Sequence, residues 1–182
     1  KNTGLGTLAM SNLTELATTG WGSDIIVYAT NDLEGDLTSS DFFALNIAEN
    51  GDLNYFDARS LKNVKGSVWI NDNTTLGGVN LNDLASVDGA VAITNNSGLG
   101  SADFPGLASI EGDLSVDVHP LLLTCDFGSL TTVSGNVHLH DNAALQSLSF
   151  EKLDSSGGLS IYKTGAANLK ADALSSVSGN IY

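Results

Sequence analysis

The sequence predicts an all-β fold, a parallel solenoid whose rungs are about 23 residues long. Three observations carry this. Leucine recurs at Leu61, Leu84, Leu107, Leu130 and Leu153, four equal steps of 23. Glycine recurs in the same phase at Gly66, Gly89, Gly112 and Gly135. Behind each glycine, apolar residues alternate with outward ones: Val68 and Ile70, Val91 and Ile93, Leu114 and Val116, Val137 and Leu139. A strand period of two is thus nested in a period of 23.

The elements of one rung follow in order. After the opening leucine, Val64, Val87, Ile110 and Val133 supply an inward residue before the glycine. The glycine is expected to permit a sharp corner or a left-handed backbone angle. The alternating strand comes next. Beyond it, Asn73, Asn96 and Asn142 hold one position, with His119 as the exception, and Leu76, Leu99, Leu122 and Leu145 hold another. The asparagines are expected to bond their own loops and to stack on one another. The rung closes on Val79 and Leu81, Ala102 and Phe104, Cys125 and Phe127, and Leu148 and Phe150. A single rung cannot bury one apolar face alone. Stacking rungs about 4.8 Å apart buries a shared interior and lets each strand pair with its neighbours.

One rung departs from the pattern. His119, followed by Pro120, is expected to interrupt the asparagine ladder, and Leu121, Leu122 and Leu123 to bulge outward or pack against an edge. Toward the N-terminus, Leu45, Ile47, Asn50, Leu53, Phe56 and Ala58 fit the pattern, with Phe43 in the glycine's place. Gly35 and Leu37, and Ile25, Val27 and Ala29, echo it with slipped spacing. We therefore read residues 1–182 as one solenoid domain, with 1–30 an atypical N-terminal cap and 31–182 the stacked rungs. Leu5 to Leu16 is expected to include a short helix. At the other end the rung from Leu153 is shortened, using Gly157, Leu159 and Ile161, and Leu174, Val177, Gly179 and Ile181 begin another. That end is expected to lack a cap, which makes Ile181 and Tyr182 the candidates for self-association through solenoid ends.

Composition narrows the function. Seven basic residues against 21 acidic ones give a net charge of −14, so nucleic acid and anionic lipid surfaces are disfavoured partners. Only 15% of residues are charged and 20 are glycine, a blend that suits a hydroxyl- and amide-rich surface over an apolar interior. Cys125 is the one cysteine, so no internal disulfide and no Cys-x-x-Cys site can form; its phase makes it a core thiol. No run approaches the roughly 18 apolar residues of a transmembrane helix.

The consensus Leu-x-x-Val-x-Gly-x-Val/Leu-x-Ile-x-x-Asn-x-x-Leu, running from about residue 40 to 182, resembles the repeat of receptor L domains and of the related fungal cell-wall proteins held by lipid anchors. The resemblance implies a right-handed parallel β-helix or a leucine-rich-repeat-like solenoid in an extracellular or cell-surface protein. Relatives of that kind usually carry terminal cysteines, which this chain lacks. The resemblance assigns no binding residue.

Function is expected at the outward positions of the main strands, because the inward ones are taken by packing. Successive rungs read Ser67, Trp69, Asn71; Ala90, Ala92, Thr94; Asp113, Ser115, Asp117; Asn136, His138, His140; and Gly158, Ser160, Tyr162. Trp69 and Tyr162 can stack on a sugar or anchor a protein. His138 and His140 share a side, and Asp117 is expected beside His140, so the three are a candidate zinc or transition-metal set. Same-face neighbours about 6 to 7 Å apart along a strand often miss a common ion, and a solvated surface pair is the alternative. Asp32, Asp52, Asp72, Asp83, Asp88 and Asp141 cluster near corners. Calcium is a candidate cofactor there, although no EF-hand loop is present and turn chemistry explains these residues. Asn12, Asn73 and Asn95 begin N-glycosylation triplets.

Glycan-active enzymes also use parallel β-helices. Asp113 and Asp117 share a face here, yet strand geometry puts them beyond about 12 Å, and no nucleophile elbow, phosphate loop or HExxH motif stands out. The expected role is therefore a non-catalytic extracellular binding or adhesion module for a protein or glycan. The alternative is a structural subunit of a filament, wall or layer assembled through solenoid ends.

Overall fold

A computed structural model describes residues 7–9, 15–16, 23–28, 42–51, 53–59, 61–166 and 168–182. Among them the fold is a parallel β-solenoid without a helix, so no helix there is long and apolar enough to cross a membrane.

Each rung contributes to three faces. The long face is a seven-stranded sheet of Ser23–Tyr28, Phe42–Ala48, Val68–Asn71, Val91–Thr94, Leu114–Asp117, Val137–Asn142 and Leu159–Thr164. A second seven-stranded sheet is built from two-residue strands, Asn63–Val64, Ser86–Val87, Ser109–Ile110 and their neighbours. The third face is split between Tyr55–Asp57 and Gly78–Asn80 on one side and Ser101–Asp103, Thr124–Asp126, Ser147–Ser149 and Asn168–Lys170 on the other. All pairings are parallel; Val68, Val91, Leu114 and Val137 are successive partners, as the regular period requires.

The period also builds the core. Every repeated leucine from Leu61 to Leu153 is buried, as are Val64, Val87, Ile110 and Val133. On the third face Ala102, Cys125 and Leu148 point inward, and burial pushes the Cys125 thiol pKa far up, which keeps it protonated and unreactive. Phe104, Phe127 and Phe150 form a continuous stack with centroids 5.3 and 5.5 Å apart.

The corners depart from expectation in two ways. Left-handed backbone angles fall on Glu49, Asp72, Asn95, Val118, Asp141 and Lys163, with φ between 51 and 64°, not on the repeated glycines. Each is the residue just before the asparagine position. The glycines serve close approach instead. A Cβ on Gly112 would stand 2.7 Å from Ala90 N, and one on Gly157 would stand 2.6 Å from the Gly135 carbonyl. Successive glycines are joined by backbone hydrogen bonds of 2.8 to 3.0 Å from Gly89 to Gly66, Gly112 to Gly89 and Gly135 to Gly112.

His119 also corrects an expectation, because it continues the buried ladder. Asn50 N and Asn73 N each donate to the next asparagine's Oδ1 at 3.0 Å, and His119 N donates likewise to Asn142 Oδ1. The following segment does not bulge as a unit. Leu122 keeps its inward place, while Leu121 and Leu123 are exposed.

The helix expected within Leu5–Leu16 is not formed at its described residues. Thr7–Ala9 pairs with Tyr55–Asp57, and Glu15–Leu16 with Asn63–Val64, because an open parallel edge offers these short segments ladder partners that outweigh local propensity. Ile25 and Val27 pair with Leu45 and Ile47, a shorter step than the regular rung takes. The rest of the expected cap, together with Gly35, Leu37 and Asp32, lies outside the described residues. Near the other end the register shortens as expected: Val137 pairs with Leu159 and Ser147 with Asn168, each partner arriving earlier in the chain than the regular period would bring it. Ile181 bridges to Leu159 and is exposed, as is Tyr182.

Candidate binding face

The long sheet sets the outward side chains in columns. Asn46, Trp69, Ala92, Ser115, His138 and Ser160 are successive partners in one column; Asn71, Thr94, Asp117, His140 and Tyr162 form the column beside it. Parallel pairing in register spaces these groups about 4.8 Å per rung. Trp69 is 40% exposed and Tyr162 45%, while the residues between them are small or partly covered.

At the Tyr162 end the structure brings five predicted or outward residues together. His138 and His140 meet edge to face at 5.5 Å between centroids, and the His140 and Tyr162 rings lie 4.1 Å apart. His140 Nε2 is 2.9 Å from Ser160 Oγ, and its backbone amide donates to Asp117 Oδ1 at 2.9 Å. Partial burial raises the Asp117 pKa, against the lowering effect of the His140 amide and the nearby imidazoles. Lys163 Nζ sits 5.5 Å from the Tyr162 centroid and 3.3 Å from Asp141 Oδ1.

These side chains do not make the metal set that their spacing suggests. Among the described residues no three His, Cys, Asp or Glu side chains converge in a metal-holding arrangement. The reason is local: His140 turns one ring nitrogen to Ser160 and the other toward Asp117 at 3.7 Å, while His138 packs against its ring edge to face. Asp117, His138 and His140 are therefore a hydrogen-bonded and stacked surface cluster. Of the corner acids, Asp72 accepts from Asn95 and, like Asp141, holds a left-handed angle, and Asp88 lies 3.4 Å from Lys65; Asp32 and Asp52 lie outside the described residues. Asn73 of the glycosylation triplets is fully buried in the ladder, Asn95 is exposed, and Asn12 lies outside the described residues.

Two features escape a reading of the sequence. Ser160 belongs to the outward face by phase, but its bond to His140 crosses between columns and needs the register, which the shortened rung obscures. The third face carries a polar groove of about 690 Å³. Thr124, Asp126, Ser147 and Ser149 line it, together with Asp103 and Lys170. Writing out the outward positions of the closing strands, Ser101 and Asp103, Thr124 and Asp126, Ser147 and Ser149, would have shown its hydroxyls and carboxylates. No protein-family model, curated protein or solved structure matches this chain.

Proposed function

We propose that the chain is a non-catalytic binding or adhesion module of the extracellular space or cell surface, holding a protein or glycan on its long sheet face. One observation carries the reading: Trp69 and Tyr162 stand exposed on a regular face whose other outward residues are small or polar. An exposed tryptophan forgoes burial of a large apolar side chain, worth roughly 1.5 to 3 kcal/mol for comparable residues, and aromatic groups in such settings are the usual anchors of recognition. The likeness of the repeat to receptor L domains and lipid-anchored fungal wall proteins supports the extracellular setting.

The test is adhesion of bead-coupled protein to immobilised extracellular glycans and matrix proteins, comparing the parent with Trp69→Ala and Tyr162→Ala. Loss of adhesion on substitution, with an unchanged melting temperature, is expected. Adhesion to none of the surfaces, together with concentration-dependent chains that Ile181→Lys and Tyr182→Lys abolish in sedimentation velocity, would replace this reading with end-joined structural assembly.

A further inference from the structure

Between Trp69 and His138 lie two rungs whose outward side chains are short, Ala92 and Thr94 on one and Ser115 and Asp117 on the next, a strip between larger rings that we call the slot. We propose that this slot binds a linear, uncharged polysaccharide laid along the solenoid axis, with Trp69 at one end of the bound segment and the His138, His140 and Tyr162 cluster at the other. The inference rests on the reading of this face as a binding surface and names its ligand.

Length is the first argument. Each rung advances about 4.8 Å, close to the length of one pyranose unit in an extended chain. A glycan lying across the strands therefore meets one rung per sugar and stays in phase. Trp69 and the rung of Tyr162 are four rungs apart by register, about 19 Å at that spacing.

The chemistry of the slot is the second. Sugars present apolar C–H faces and hydroxyl edges, and sites that hold them combine aromatic surface with a few fixed polar groups. Here the aromatic groups stand at the ends. The floor offers the Thr94 and Ser115 hydroxyls and the Asp117 carboxylate, whose Oδ1 is fixed by the His140 amide at 2.9 Å. His140 is itself held by Ser160 at 2.9 Å and by the Tyr162 ring, so that end is ordered before a ligand arrives. A protein partner would instead call for a desolvated anchor at the centre of the patch, where this face has alanine, threonine, serine and aspartate.

Charge is the third. The chain carries −14 overall, and Asp113 and Asp117 are the charged outward residues of the rungs from Val68 to Leu139 on this face. Lys163, beside Tyr162, is paired with Asp141 at 3.3 Å. Uronate and sulfated chains are repelled by such a face, whereas neutral chains incur no such penalty.

The experiment is calorimetric titration of the whole chain with neutral β-linked oligosaccharides of increasing length, alongside an oligouronate series. Affinity is expected to rise with length and level off near about five units, with no binding of the oligouronates. Trp69→Ala and Tyr162→Ala should each weaken the longer ligands by about tenfold. Ala92→Arg, which fills the slot at an outward position, should abolish binding without moving the melting temperature. Affinity that does not depend on length, or preference for the oligouronates, overturns the proposal. A matrix protein bound in a Trp69-dependent manner with no glycan bound overturns it while leaving the binding face intact; absence of both removes the face reading as well.

Discussion

The backbone amide of Asn96 donates to Nδ1 of His119 across 3.2 Å, and His119 Nε2 reaches the Ile93 carbonyl at 3.0 Å. An amide can only donate and a carbonyl can only accept, so these two contacts match a neutral ring with its proton on Nε2, while the Asn96 carbonyl, also 3.2 Å from Nδ1, favours a proton there and works against the effect of burial. Asn73 and Asn142 use their side-chain amides in the same way, donating to the Ile47 and Val116 carbonyls at 2.9 and 2.7 Å. The imidazole thus reproduces an asparagine's donor and acceptor in the buried corner.

That equivalence makes stability pH-dependent at one rung. Burial lowers the His119 pKa in the fold, so the unfolded chain, near 6.5, takes up a proton first as pH falls. The stability that depends on the neutral ring is complete above about pH 6.5 and is lost as pH drops toward the lower folded value. His119→Asn should fold with little change at pH 8 and should widen its advantage over the parent in urea midpoint as pH falls through 6. His119→Leu, which leaves the Asn96 amide and the Ile93 carbonyl without partners, should cost about 1 to 3 kcal/mol per orphaned group at pH 8. Parallel titrations for parent and His119→Asn would remove the assignment.

The long repeat makes the fold legible because each rung repeats its packing, so Leu61, Phe104 and Val137 can be placed inside by phase alone. The corner is legible as a position but not as a conformation. Glu49, Asp72, Asn95, Val118, Asp141 and Lys163 share one left-handed angle and have no side-chain property in common, whereas the glycines, which do repeat, answer to the neighbouring rung's backbone. His119 defeats a comparison of residue types because donor and acceptor geometry decides its place. Within the site, the columns joining Asp117 to His140 are legible from the regular step. The contact of His140 with Ser160 depends on a shortened rung and on ring orientation, which no period encodes.

Val118 is the β-branched member of the left-handed set, at φ 64°. A branched Cβ is strained there, and its side chain is 46% exposed, so little packing is lost on replacement. Val118→Gly or Val118→Asn should stabilise the protein by about 1 kcal/mol. A chemical-denaturation midpoint at or below the parent's would show that the angle is relaxed in solution.

The glycine ladder should tolerate no methyl group. In Gly112→Ala the new carbon meets the backbone of Ala90 and Gly89 at 2.7 and 2.8 Å, and backbone cannot swing aside, so a loss of about 1 to 3 kcal/mol is expected from overpacking. Gly51→Ala is the control, since nothing lies within 4 Å of its added carbon. Equal melting temperatures for the two variants would contradict close approach as the glycine's role.

Phe127 has a stacked partner on both sides, at 5.3 Å to Phe104 and 5.5 Å to Phe150, with ring planes within 7° of parallel. Truncation to alanine removes a fully buried ring and both contacts, which should cost about 3 to 5 kcal/mol. Phe104→Ala and Phe150→Ala each break one of these stacking contacts and should cost less. Leu81 occupies the matching place one rung before Phe104 and is fully buried, so the column already accepts leucine, and Phe127→Leu should recover most of the loss seen with alanine. Because the rungs form a stack in which each contacts its neighbours, exchange protection should fall first in the rungs of Phe104, Phe127 and Phe150 and least in the rung of Leu61. Hydrogen exchange that loosens uniformly along the chain would instead mark the solenoid as one cooperative unit, with the phenylalanine stack contributing to the whole rather than to its own rungs.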